Sequence, residues 1–174
     1  WRGGEEYFHL NITPMIINGV IYSVNNKGVV YALNENSFKQ IIWKNKKLKK
    51  ELNSFVTSKG GFAFADNIVY LTIGSNKLYA FNAETGEFLW EKAVGDVTRS
   101  VPHIKDDKIF VTTINNQIYA LDKENGNILW LSSATPKIAG IYGIGSVSSG
   151  AKDIIIVPYS SGELYGINSK IGNV

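Results

Sequence analysis

The sequence predicts an all-β fold, a β-propeller of four-stranded antiparallel blades, present here as three complete units, most of a fourth and the end of an earlier one. Three observations predict it. Aromatic-small-apolar triplets recur, as Tyr31-Ala32-Leu33, Tyr79-Ala80-Phe81, Tyr119-Ala120-Leu121 and Tyr165-Gly166-Ile167, with tyrosines 48, 40 and 46 residues apart. Trp43, Trp90 and Trp130 follow the first three tyrosines after 12, 11 and 11 residues. Clusters of Asn, Asp, Ser and Gly cut the rest into short apolar runs.

Each unit divides into four strands in the same order. Thr13-Pro14 and Val101-Pro102 lead into first strands, where a missing amide N–H is tolerated. Second strands are continuous apolar runs: 20–24, 68–73, 109–113 and 154–157. Such runs predict strands covered on both faces, as a mid-blade strand is. The tyrosine triplet is the third strand and the tryptophan segment the outermost fourth. Asn18-Gly19, Asp66-Asn67 and Asp106-Asp107 form the first hairpins. Asn26-Lys27-Gly28 and Ser160-Ser161-Gly162 join second to third strands. Between third and fourth lie Asn82 to Gly86 and Asp122 to Gly126, where the Asx side chain holds the turn and the glycine supplies a positive φ. The first unit departs: Asn34-Glu35-Asn36-Ser37-Phe38 has no glycine and one extra residue.

The units expected are 1–12 (end of a preceding blade, with Trp1 as its tryptophan, and a linker), 13–58, 59–100, 101–145 and an incomplete 146–174. The lysine-rich stretch 44–56 lacks a clean apolar stripe and reads as a long connection between blades. Trp43, Trp90 and Trp130 read as blade-building residues, each indole packed between adjacent blades with its N–H bonded. Tyr31, Tyr79, Tyr119 and Tyr165 read as core, and Gly86 and Gly126 as turn residues.

Composition narrows the chemistry. The 174 residues are 44% hydrophobic and 19% charged, with a formal charge of +3. Lysines concentrated in 44–50 read as a solvated turn, since a nucleic-acid face would spread basic residues among stacking aromatics. Without cysteine the stretch has no disulfide, thiolate site or cysteine nucleophile. His9 and His103 are the only histidines and share no metal-ligand spacing. Gly140-Ile141-Tyr142-Gly143-Ile144-Gly145 has the outline of a dinucleotide-binding glycine string but lies between strands with no helix behind it, so a loop is expected. Asp66, Asp106, Asp107 and Asp122 occupy turn positions. No catalytic, metal or cofactor site is predicted. No run approaches a membrane span. Since the chain opens at Trp1, the lack of a signal segment carries no information on compartment.

The repeat seen as AFNAETGEFLW and ALDKENGNILW resembles the PQQ-like propeller repeat. A finer resemblance runs from about residue 59 to 168, through GGFAFADNIVYLTIGSNKLYAFNAETGEFLW, VGDVTRSVP, NNQIYALDKENGNILW and VPYSSGELYGIN. It is to the BamB family of outer-membrane β-barrel assembly lipoproteins, in its α-proteobacterial branch. The resemblance implies an eight-bladed propeller, half of it in this chain. It implies a place on the periplasmic side of the bacterial outer membrane, with a lipid on an N-terminal cysteine outside this sequence. The implied partners are the POTRA region of BamA and nascent outer-membrane proteins, the implied role that of a non-catalytic scaffold. By loop position, the implied BamA contact is the connection from Ala134 to Gly145, with Lys137, Ile138, Ile141 and Tyr142 as partner-binding residues. Binding by strand addition at a blade edge is a second route. The competing readings are a PQQ-dependent quinoprotein dehydrogenase, which resembles the chain in its tryptophan repeat but carries a vicinal cysteine pair and a calcium site, and a generic PQQ-like sensor domain.

Overall fold

Side chains alternate in direction along a strand, so the unbroken apolar runs of the second strands have two apolar faces and force sheet onto sheet. The computed structural model describes residues 12–50, 59–98, 100–134, 145–159 and 162–174. The first sheet holds β1 (Met15–Ile17), β2 (Val20–Val24), β3 (Val30–Asn34) and β4 (Ser37–Asn45) in that order. The second holds β5 (Gly61–Ala65), β6 (Ile68–Thr72), β7 (Lys77–Asn82) and β8 (Phe88–Ala93). The third holds β9 (His103–Lys105), β10 (Lys108–Thr112), β11 (Gln117–Asp122) and β12 (Ile128–Ser133). The fourth has three strands, β13 (Ser148–Ser149), β14 (Ile154–Pro158) and β15 (Leu164–Asn168). Every pairing is antiparallel between neighbours in sequence. These are the propeller blades.

The core is three layers between successive blades. Tyr22, Val30, Ala32 and Trp43 of the first blade meet Val69, Leu71, Tyr79 and Phe81 of the second. Tyr70, Leu78 and Ala80 turn to the opposite face and meet Ile109, Val111, Tyr119 and Leu121. Phe110, Ile118 and Ala120 then meet Ile155, Val157 and Ile167. Consecutive residues of β6 and β10 therefore serve different layers, the physical meaning of their unbroken apolar runs. Tyr79 and Tyr119 are buried, whereas Tyr31 and Tyr165 are only half-buried. Tyr31 occupies the position whose equivalent, Tyr79, packs on the preceding blade. No sheet precedes the first among the described residues, so the face of β3 that carries Tyr31 lacks that cover.

The turns explain the register. Asn18 and Gly19 have φ of 51° and 76°, and Asp66 and Asn67 of 49° and 60°, the left-handed pair that a two-residue hairpin needs. The Asn82 carboxamide accepts the backbone N–H groups of Glu84 and Thr85, both at 2.9 Å. Asp122 and Asn168 repeat this on Glu124 and Asn125, and on Lys170 and Ile171. The glycine-free turn of the first blade is solved differently. Asn34 pairs directly with Ser37, and the surplus residues are absorbed by register shifts beside Leu33.

The stretch 44–56 is not the plain connection expected from its sequence. β4 continues to Asn45, and Lys47–Lys50 forms a 3-10 turn. Leu48, fully buried in the first layer, anchors it. Residues 51–56 lie outside the described residues.

Candidate partner-binding surface

An antiparallel meander sorts its connections onto two rims. Turns between first and second strands share a rim with those between third and fourth. Second-to-third turns share the opposite rim with the connections between blades.

On the first rim lie the seams. The indole N–H of Trp43 donates to the Ala83 carbonyl at 2.7 Å, and the Tyr22 hydroxyl donates to the same oxygen at 3.3 Å. Trp90 donates to Glu124 at 2.8 Å, while Tyr70 donates to Lys123 at 2.8 Å. Trp130 donates to Ser169 at 3.1 Å, and the ring beside it is Phe110, which has no hydroxyl to add. In each pair the rings tilt at 47–48° with centroids 5.7–6.0 Å apart. Beneath each indole sits a glycine of the next blade. A Cβ on Gly86, Gly126 or Gly172 would fall 2.4, 2.7 or 2.6 Å from the ring of Trp43, Trp90 or Trp130. The glycine thus both allows the φ near 73° and leaves room for the ring.

Sequence reasoning missed Tyr22, Tyr70 and Phe110, although a signal existed: each stands nine residues ahead of a strand-three tyrosine. It also missed the way the lysine-rich turn grips the next blade. Asn45 donates to the Gly86 carbonyl at 2.8 Å. The Lys47 ammonium lies 3.2 Å from Glu91 and 4.4 Å from the Phe88 ring centre. Burial pushes the Glu91 carboxyl up, but hydrogen bonds from Lys77 and Lys47 outweigh it and hold the group below the usual carboxylate range. Lys123 ties two blades by pairing with Asp66 at 2.5 Å. Burial, with Asp66, Asp122 and Glu124 adding to it, raises the Tyr70 phenol, which stays a neutral donor.

The second rim is braced through hydroxyl groups. Thr72 Oγ1 donates to the Ser100 carbonyl at 2.7 Å, and Thr98 is held by Ser75 through both its N–H and its hydroxyl. The Gly95 N–H donates to the Tyr119 hydroxyl at 2.9 Å. These bonds fix the connection from the second blade to the third.

The next connection carries the sequence-predicted partner residues. Lys137, Ile138, Ile141 and Tyr142 lie outside the described residues. Its two ends are described. The Ala134 N–H donates to Asn116 at 3.0 Å. Gly145 packs so closely on Pro158 that a Cβ there would fall 2.4 Å from the proline ring. Beside that end, Tyr159 packs edge-on to Tyr165 at 5.4 Å, and burial with the neighbouring phenol pushes its hydroxyl up to about 12.

On the inner strands, the His103 ring nitrogen meets the Ser149 hydroxyl at 2.9 Å. Burial, and then the Lys105 charge, lowers the imidazole pKa from its ordinary value. The Lys105 ammonium donates to the carbonyls of Gly150, Lys152 and Ile154, which ties the third blade to the fourth. No acidic residue completes a catalytic set with His103 and Ser149 in these contacts. Among the described residues no three His, Cys, Asp or Glu converge to hold a metal, and no helix is long and apolar enough to cross a membrane.

Known proteins carry the same architecture. BamB from Moraxella catarrhalis superposes with a TM-score of 0.80 at 17% identity, over 95% of this chain and 48% of that one. A quinohemoprotein alcohol dehydrogenase from Pseudomonas putida HK5 reaches 0.70 at 16% identity, over 94% and 33%. At such identity both likenesses establish the fold alone. In sequence, the outer membrane protein assembly factor BamB of Salmonella typhimurium is 30% identical over 106 residues, 59% of this chain and 27% of that protein. The match thus spans about a quarter of that relative. The profile of the family described as outer membrane protein assembly factor BamB matches residues 26–174. The chain therefore belongs to the BamB family of PQQ-like propellers.

Proposed function

We propose that this chain is part of a non-catalytic scaffold of the outer-membrane β-barrel assembly machinery. It acts on the periplasmic side of the bacterial outer membrane, binds the POTRA region of BamA and assists insertion of outer-membrane proteins. The family match over residues 26–174 carries the reading. The architecture supports it, since successive blades are locked to one another by apolar layers and indole-to-carbonyl bonds, the rigid frame a binding scaffold needs. On this reading Ile141 and Tyr142, apolar residues in a glycine-rich connection, are the anchors for BamA.

Full-length protein is expected to co-purify with BamA. The double variant Ile141→Asp, Tyr142→Ala is expected to weaken the complex at least tenfold while its melting temperature stays unchanged, since removal of an interface anchor costs about 2 kcal/mol or more. Undiminished capture of BamA by that variant would take the loop out of the interface, and no capture by the wild-type protein would reject the reading.

The quinoprotein reading has one observation behind it, the blade likeness to the Pseudomonas putida enzyme. The residues present do not fit the group. This stretch has no cysteine for a vicinal pair, and no carboxylate cluster for calcium forms among the described residues. Trp43, Trp90 and Trp130 each face a glycine and donate to a carbonyl of the next blade, so none is free to floor a planar ring. Mixing the full-length protein with quinone and calcium is expected to leave the quinone absorption spectrum unshifted. A shift would restore the enzyme.

A further inference from the structure

The outer strand of the first blade differs from its counterparts. β4 runs nine residues where β8 and β12 run six. It lies at the edge of its sheet and leaves Phe38, near the start of the strand, exposed at 61%. Ile41 and Ile42 are exposed at 48% and 46%, and so are their counterparts on β12, Ile128 and Leu129, at 41% and 46%, although that strand's blade has a described blade on each side. Lys39 and Lys44 stand among these residues of β4, Lys46 follows between the strand and the 3-10 turn, and Lys49 and Lys50 lie on that turn, all five exposed. Among the described residues none of the five is in an ion pair, and positions 37–50 contain no Asp or Glu. Lys47 is different, because Glu91 already holds its charge. β12 also exposes aliphatic side chains, Ile128, Leu129 and Leu131, but has no charged residue. β8 exposes Leu89, but its Glu91 is held by Lys47 and Lys77 and its one cation, Lys92, is half-buried. Among the described outer strands, β4 alone joins apolar exposure to a cluster of exposed lysines outside any ion pair.

We propose that this face docks on an anionic lipid surface, with Phe38, Ile41 and Ile42 in the headgroup and acyl boundary and the five lysines over the phosphates. The choice of partner follows from the side chains. Every cation here is lysine, a mobile point charge suited to a fluid layer that offers no fixed acceptor geometry. A fixed carboxylate or phosphate pattern favours the bidentate guanidinium, and this face has none. A single-stranded nucleic acid needs successive aromatic platforms, but Trp43 is buried and Phe38 stands alone. Lysine stems lie along apolar surface while the ammonium groups reach outward, the usual arrangement at a membrane boundary. Leu48 and Asn45 hold the turn against the second blade, so the charges are presented from a fixed base. The inference is independent of the assembly role.

The test uses full-length protein produced without a lipid anchor, sedimented with vesicles of phosphatidylethanolamine and phosphatidylglycerol or of phosphatidylcholine alone. Binding to the anionic vesicles, weakened by salt and absent from phosphatidylcholine, is expected. Each lysine near an anionic surface contributes about fivefold to partitioning. The quadruple variant Lys44→Gln, Lys46→Gln, Lys49→Gln, Lys50→Gln is therefore expected to lose at least about a hundredfold. Phe38→Ser with Ile42→Ser is expected to lose about tenfold while the salt dependence stays. Arginine at the same four positions is expected to retain binding. Near-ultraviolet circular dichroism checks that each variant is folded. Failure of the wild-type protein to bind anionic vesicles, or equal binding by the quadruple glutamine variant, would overturn the proposal. So would capture of single-stranded DNA or polyglutamate with the vesicles left behind. Co-purification with BamA is scored separately and is not moved by any of these outcomes.

Discussion

Gly86→Ala is expected to destabilise the full-length propeller by about 3 kcal/mol, whereas Gly19→Ala costs about 1 kcal/mol, measured by equilibrium denaturation in urea. Both glycines have a positive φ, 73° and 76°, so both variants meet the same backbone penalty. They differ in what the new methyl group meets. At Gly19 nothing lies within 4 Å, but at Gly86 the six-membered ring of Trp43 would be 2.4 Å away. The indole cannot retreat without breaking its 2.7 Å bond to Ala83. The difference between the two variants isolates the seam contact from the turn. Equal costs would mean that the tryptophan yields freely and that the glycine serves φ alone. Gly126→Ala tests the same contact at the next seam, where the clash distance is 2.7 Å.

Those two residue types were visible in the sequence because both are periodic, and periodicity is local information. Strand order, the hairpin residues and the two-faced middle strands were legible for the same reason. Which tryptophan meets which glycine was not. The indole acceptors lie 40, 34 and 39 residues downstream, and a repeat pattern reads identically whether a ring placed between blades bonds to the preceding one or to the next. The tyrosine triplets carried a related ambiguity. Tyr31 and Tyr79 hold the same place in the repeat, yet only Tyr79 has a described blade on the side it faces. In sequence the lysine-rich stretch reads as a solvated connection, because its charges cluster and it lacks an apolar stripe. Leu48 turns inward to a layer shared with the second blade, and the exposed Lys47 reaches across to Glu91 of that blade. The partner-binding residues were assigned by loop position, and the fold bears on them only through the pinned ends of their connection at Ala134 and Gly145.

The seams also decide how the blades depend on one another. Each contributes a layer of apolar side chains, a ring above a glycine and a bond from indole to carbonyl, made with the immediate neighbour. An array coupled in this way behaves as a sum of blade terms and nearest-neighbour terms. A substitution at one seam is therefore expected to loosen two blades and leave more distant ones protected.

Trp43→Ala is expected to cost about 4 kcal/mol, because it opens a cavity at a nearly closed site and removes a buried hydrogen bond. Trp43 is 8% exposed and packs between Tyr22 and the Gly86 turn. The milder Trp43→Phe separates bond from bulk and is expected to cost about 1–2 kcal/mol, since the Ala83 carbonyl still accepts the Tyr22 hydroxyl. Tyr22→Phe alone likewise leaves that oxygen its indole donor. With both replaced, the oxygen has neither donor. The double variant is then expected to exceed the sum of the singles by about 1 kcal/mol in a denaturation cycle, because an unpaired buried acceptor costs more than a lost bond. Strict additivity would mean that water reaches the carbonyl when both donors are gone. The seam would then be held by ring packing, and the repeated tryptophan would be present for its shape more than for its N–H.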